Sequence, residues 1–102
     1  MSGNELLEWV KEELIYKRLS LGDMGILPEE VDDTTLLFDE GGLSLDSIEG
    51  LELAVGIEQK FGVKVAALNE AVARDKFATP LSIRDYILEL LETKKLSVSH
   101  ST

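Results

Sequence analysis

Leu6, Leu7, Val10 and Leu14 recur at intervals of three and four, the spacing that gathers side chains onto one face of an α-helix. Ser2 with Glu5 three residues on forms a capping-box pattern, and Met1 with Leu6 supplies a hydrophobic staple. These signals predict a first helix ending near Leu19 to Gly22. The clearest stripe comes later, in Leu53, Ile57 and Phe61, with Gly50 and Ala54 as small neighbours. Ile48, Leu51, Glu52, Val55 and Glu58 fall to either side of it. Asp46 is a good N-cap, Glu49 completes the capping pattern, and Gly62 stands where a helix of this kind stops. The "VKV" that follows is extended and too short to require a sheet. Residues 66–75 are expected to form a shorter third helix, with Leu68, Ala71 and Val72 inward. Thr79-Pro80 breaks the chain, and Ser82 with Asp85 is the expected cap of a last helix facing inward through Ile83, Ile87, Leu90 and Leu91.

The connection from about Ser20 to Leu45 is long for a small domain, which points to function or tethering. Pro28 can open a short helical turn with Glu29 and Glu30 behind it. Val31, Leu36, Leu37 and Phe38 are its expected apolar anchors, and Gly41-Gly42 frees the backbone before the next helix. The whole predicts an all-α fold, a small antiparallel four-helix bundle with three longer helices, one short one and a long first loop. The helical domain spans residues 1–93, and residues 94–102 form a polar, flexible tail.

Composition narrows the function. With 102 residues, 44% hydrophobic and 29% charged, the chain is one small domain able to close a modest core. It has no cysteine, which excludes disulfides, thiolate catalysis and cysteine-held metals. The amino-terminal residues lack a secretory pattern, and no apolar run approaches the roughly 20 residues of a membrane span. The expectation is a soluble, cytoplasmic monomer. Net charge is −10, and its placement says more than its total. From Leu19 to Gln59 there are eleven acids and no lysine or arginine, while the other nine acids face all ten bases. Such a segment repels nucleic acid and anionic membranes and attracts basic protein patches.

Enzyme chemistry finds few candidates. The single histidine, His100, lies in the expected tail, away from any serine it could activate. The Glu29/Glu30 and Asp32/Asp33 pairs lie in the loop, and neither "DEGG" nor "VDDTT" has the alternating ligands of a calcium loop. No metal site and no phosphate-cradling glycine loop is expected. Ser47 remains. Serine at a helix start is usually structural, but with Asp46 as cap Ser47 occupies the first helical position, its hydroxyl unneeded. A phosphate there would lie beside helix N–H donors and the positive end of the dipole.

"LSLDSIEGLELAVGIEQKFGVKV" resembles the prosthetic-group region of acyl carrier proteins, an Asp-Ser-Leu-type motif followed by an acidic helix ending in Glu-x-x-Phe-Gly. "LPEEVDDTTLLF" is similar to that family's first-loop turn and "FATPLSIRDYILELL" to its last helix, so the likeness covers most of residues 4 to 92. The tripeptide is weakly specific; the ordered combination is much more so. The resemblance implies that Ser47 carries 4'-phosphopantetheine, transferred from coenzyme A by a phosphopantetheinyl transferase that recognises Asp46. Acyl groups would ride on its thiol as thioesters, sheltered in part between the helices. The chain would then be no enzyme but a shuttle between acyl-transferring and chain-extending enzymes with basic docking patches, in fatty acid or specialised lipid or polyketide biosynthesis. Ile48, Leu51, Glu52, Val55 and Glu58 match the family's partner-facing positions, and Leu53, Ile57 and Phe61 its core. Ile48 replaces the common leucine, Ser44 stands where many relatives have glycine, and both the Phe38–Ser47 spacing and the 66–80 region are longer than usual. The stretch "GGLSLDSIEGLELAV" looks closer to specialised carriers than to the housekeeping fatty-acid carrier. The alternatives are an aminoacyl or peptidyl carrier and, from a different class, an unmodified helical interaction module.

Overall fold

The Ser2 hydroxyl accepts the Glu5 N–H at 3.2 Å and opens α1 (Gly3–Trp9) as its spacing predicts. A computed structural model describes residues 2–65 and 75–100. The proposed Met1 staple and nearly all of the third helix, with Leu68, Ala71 and Val72, lie outside those residues. From Val10 to Lys17 the first helix continues as a π-helix. That wider turn buries Ile15 beside Leu14, and Leu19 follows in the core. The regular helical portion therefore closes at Lys17, slightly earlier than expected, and Ser20 turns the chain in a left-handed conformation (φ 54°).

The first loop is tied down rather than loose. Short 3₁₀ turns form at Leu21–Met24 and, where Pro28 predicts one, at Pro28–Glu30. The Leu27 N–H donates to Glu30 Oε2 at 2.6 Å, and the Tyr16 hydroxyl donates to the Ile26 carbonyl at 2.8 Å. Lys11 Nζ meets Asp33 at 2.8 Å. Val31 and Leu37 are buried as expected, but Leu36 is 42% exposed. Successive side chains of an extended segment point opposite ways, so seating Leu37 turns Leu36 outward. The Leu36 and Leu37 carbonyls accept from Leu43 N–H and Leu45 N–H at 2.9 and 2.8 Å. Gly42 sits so close to this pairing that a Cβ would lie 1.9 Å from the Leu36 oxygen.

α2 (Ser47–Phe61) ends on Gly62 at φ 65°, the predicted left-handed stop. α3 (Pro80–His100) then runs past the expected boundary at residue 94. No glycine or proline follows Pro80 to stop it. Its start also corrects the expectation of a Ser82 cap. The Ser82 N–H donates to Thr79 Oγ1 at 3.1 Å, so Thr79 is the cap, and Pro80, fully buried, takes the first helical position its fixed φ suits. Asp85 pairs instead with Arg84 at 2.9 Å.

The first helix packs against both α2 and α3. Leu6, Val10, Leu14, Leu53, Ile57, Ile83 and Ile87 meet in one core, joined by Leu21, Leu45 and Phe77 from the connections. Phe61 is only partly buried and meets Trp9 edge-on at 5.2 Å. Leu90 and Leu91 likewise line the core's margin. Lys94 Nζ donates to the Phe61 carbonyl at 3.0 Å and so joins α3 to the end of α2. The described residues are all-helical, with no strand. No helix among them is long and apolar enough to cross a membrane.

Candidate functional site

Local hydrogen bonding fixes the start of α2. Asp46 Oδ1 accepts the Ile48 and Glu49 N–H groups at 2.9 and 3.1 Å, and Glu49 Oε2 accepts the Asp46 N–H at 2.9 Å. The Asp46 carboxyl is held below its ordinary value, first by its hydrogen bonding with the Glu49 side chain, then by the Glu49 and Ile48 N–H groups, against a desolvation penalty. Ser47 is the first helical residue and is exposed. Its hydroxyl takes no part in the cap, as predicted.

The helix end does not offer the free N–H donors expected beside Ser47. The helix-end donors beside Ser47 are largely taken, Ile48 and Glu49 by the Asp46 carboxylate and the Gly50 N–H by the Asp46 carbonyl at 3.1 Å. The Asp46 charge also opposes an anion. The arrangement leaves the Ser47 oxygen exposed while offering little to hold a phosphate close against the helix end.

The approach to Ser47 is fixed as well. Ser44 adopts φ 52°, a region where glycine is at ease and other residues are strained. Its N–H and hydroxyl both donate to the Asp39 carbonyl, at 3.2 and 3.3 Å. Leu45 is 6% exposed and anchors the turn in the core.

The predicted partner-facing residues divide into two groups. Ile48 and Leu51 are 75% and 58% exposed, one helical turn apart and beside Ser47, with the half-buried Val55 a further turn along. Glu52 and Glu58 are already engaged. Glu58 Oε2 accepts the Val65 N–H at 2.9 Å, tying the chain after Gly62 back to α2. Glu52 Oε1 lies 2.9 Å from an Arg18 guanidinium nitrogen, while Arg18 Nε donates to the Glu52 carbonyl at 3.0 Å. Lys11, whose ammonium pKa is raised chiefly by its hydrogen bond to Asp33, covers another acid of the segment. Two bases from the first helix thus fold back onto a stretch that has none in sequence.

Arg18 and Gly56 are the residues that pattern reasoning missed. A Cβ at Gly56 would stand 2.6 Å from Leu14 Cδ1 and 2.9 Å from Arg18 Cδ. A glycine inside a helical stretch costs about 1 kcal/mol against alanine, and that cost was the available signal of a close approach. Surface clefts of about 470 and 270 Å³ flank the first helix, one along Lys11, Tyr16 and Pro28, the other along Trp9, Arg18 and Gly56. Ser47 lines neither. The sequence matches no family model and no curated protein.

Proposed function

We propose that this chain is an acyl carrier whose Ser47 oxygen bears 4'-phosphopantetheine, and that the complete fold is a small antiparallel four-helix bundle. The observation that carries the reading is the exposed Ser47 hydroxyl at the first position of α2, left free because Asp46 and Glu49 cap the helix between them. The prosthetic thiol would supply the acyl-bearing nucleophile of a chain without cysteine. Asp46 fixes the helix start and presents a carboxylate beside the attachment oxygen. Ile48, Leu51 and Val55 form an apolar strip for transient partners, and the surrounding acids steer partners with basic patches. Cytoplasmic placement and a role in fatty acid or specialised lipid or polyketide assembly go with this reading.

Incubation with a phosphopantetheinyl transferase and coenzyme A should add the mass of one phosphopantetheine. Ser47→Ala should abolish the gain and Ser82→Ala should preserve it. An unchanged intact mass with several competent transferases would overturn the proposal and leave an unmodified interaction module.

A further inference from the structure

The Arg18 guanidinium lies on α2 as a basic residue of a docking partner would. It bridges the Glu52 carboxylate at 2.9 Å and the Glu52 main-chain carbonyl at 3.0 Å. A helical carbonyl already accepts from the residue four positions on, here Gly56. A second donor reaches it only if nothing shields that side of the helix. Gly56 supplies the opening, since a Cβ there would crowd both Arg18 Cδ and Arg18 Nε, at 2.9 and 3.0 Å. Arg18 is positioned in turn by the end of the π-helix, where its own N–H reaches back to the Glu13 carbonyl at 3.1 Å. The side chains of Arg18 and Glu52 remain 27% and 48% exposed, so an incoming cation can compete for the carboxylate.

We infer that Arg18 is an internal competitor for the docking face, a specificity-determining residue that occupies Glu52 until a partner displaces it. This inference rests on the carrier reading above. Partners that rely on one weak basic contact at Glu52 are disfavoured. Those that engage Ile48 and Leu51 as well, or bring a bidentate arginine, overcome the clamp.

The test measures kcat/KM for phosphopantetheine transfer, with a basic-faced transferase at low salt, on the full chain and five variants, among them Glu52→Gln as the reference for its own background. Arg18→Gln frees the carboxylate. Gly56→Ala dislodges the guanidinium without changing net charge, so its gain cannot come from bulk steering. Arg84→Gln, which removes a cation from α3, measures that steering alone. Arg18→Gln in a Glu52→Gln background removes the clamp where nothing is left to free. Helix content and melting are followed for each protein.

An exposed pair of this kind corresponds to about a two- to fivefold effect. Arg18→Gln and Gly56→Ala should each accelerate transfer by that factor, more than Arg84→Gln does, and the gain should vanish in the Glu52→Gln background and at high salt. If folded Arg18→Gln and Gly56→Ala both match the parent chain, or if Arg84→Gln gives the same gain, the inference is overturned and the carrier reading stands. Absence of transfer to the parent chain and every variant overturns the carrier reading itself, and the inference with it.

Discussion

The two long helices beyond the first loop begin in opposite ways. α3 opens on a threonine cap and a buried proline, with Phe77 just ahead at 0% exposure and stacked at a tilt on Tyr86. Its early serine is consumed locally, because the Ser82 hydroxyl lies 3.0 Å from that of Thr79. α2 opens on an aspartate–glutamate box that needs no serine, and the residues at its tip, Ser47 and Ile48, face solvent. Both starts follow a residue buried in the core, Phe77 or Leu45, but α3 sets its first residue there as well and α2 leaves its first two in solvent. A serine near a helix start says little about chemistry until the cap is known, because the cap decides if the hydroxyl is spent.

The difference should be largest in stability. Phe77→Ala removes a fully buried ring and should cost about 3–5 kcal/mol, whereas Ile48→Ala should stay within about 0.5 kcal/mol in denaturant unfolding. Equal losses would mean that the tip of α2 is not held out from the core. Ile48→Ala should instead weaken partner complexes.

Removing either cap should have a smaller effect than losing the Phe77 ring. Asp46→Ala and Thr79→Ala should therefore destabilise comparably, but only Asp46→Ala should also slow modification at Ser47. If Thr79→Ala slowed it as much, global loosening would explain both.

The smallest contrast lies in acid. The folded pKa of Asp46 is lowered, so its contribution is complete above the unfolded carboxyl value and disappears as pH falls through the folded one. The Ile48 and Glu49 amide resonances should titrate in that low range. The Ser82 amide, bonded to a hydroxyl, should show no such step. Titration of the Ile48 and Glu49 amides at the ordinary carboxyl value would refute the box geometry.

Much of this was legible in the sequence because it is local. The Asp46 and Glu49 cap, the Gly62 stop and the Pro28 turn each depend on residues within four positions of one another, where backbone chemistry leaves few choices. The choice between Thr79 and Ser82 was also local, yet two acceptors competed, and the proline's fit at the first helical position decided it. What escaped depends on distant contacts. The π-helical turn at Val10–Lys17, the burial of Leu21, Leu45 and Phe77, and the meeting of Arg18 with Glu52 across 34 positions have no periodic signature. The acidic stretch looked uncompensated for the same reason, because Lys11 and Arg18 reach it only through the fold. Nor does any local pattern announce the left-handed backbone at Ser44.

The most direct measurement is peptide-level mass spectrometry of the protein isolated from the cells that make it. A phosphopantetheine, free or acylated, is expected on the peptide containing Ser47, with Ser44 and Ser82 bare. A bare Ser47 throughout, or the group attached to another residue, would contradict the carrier reading.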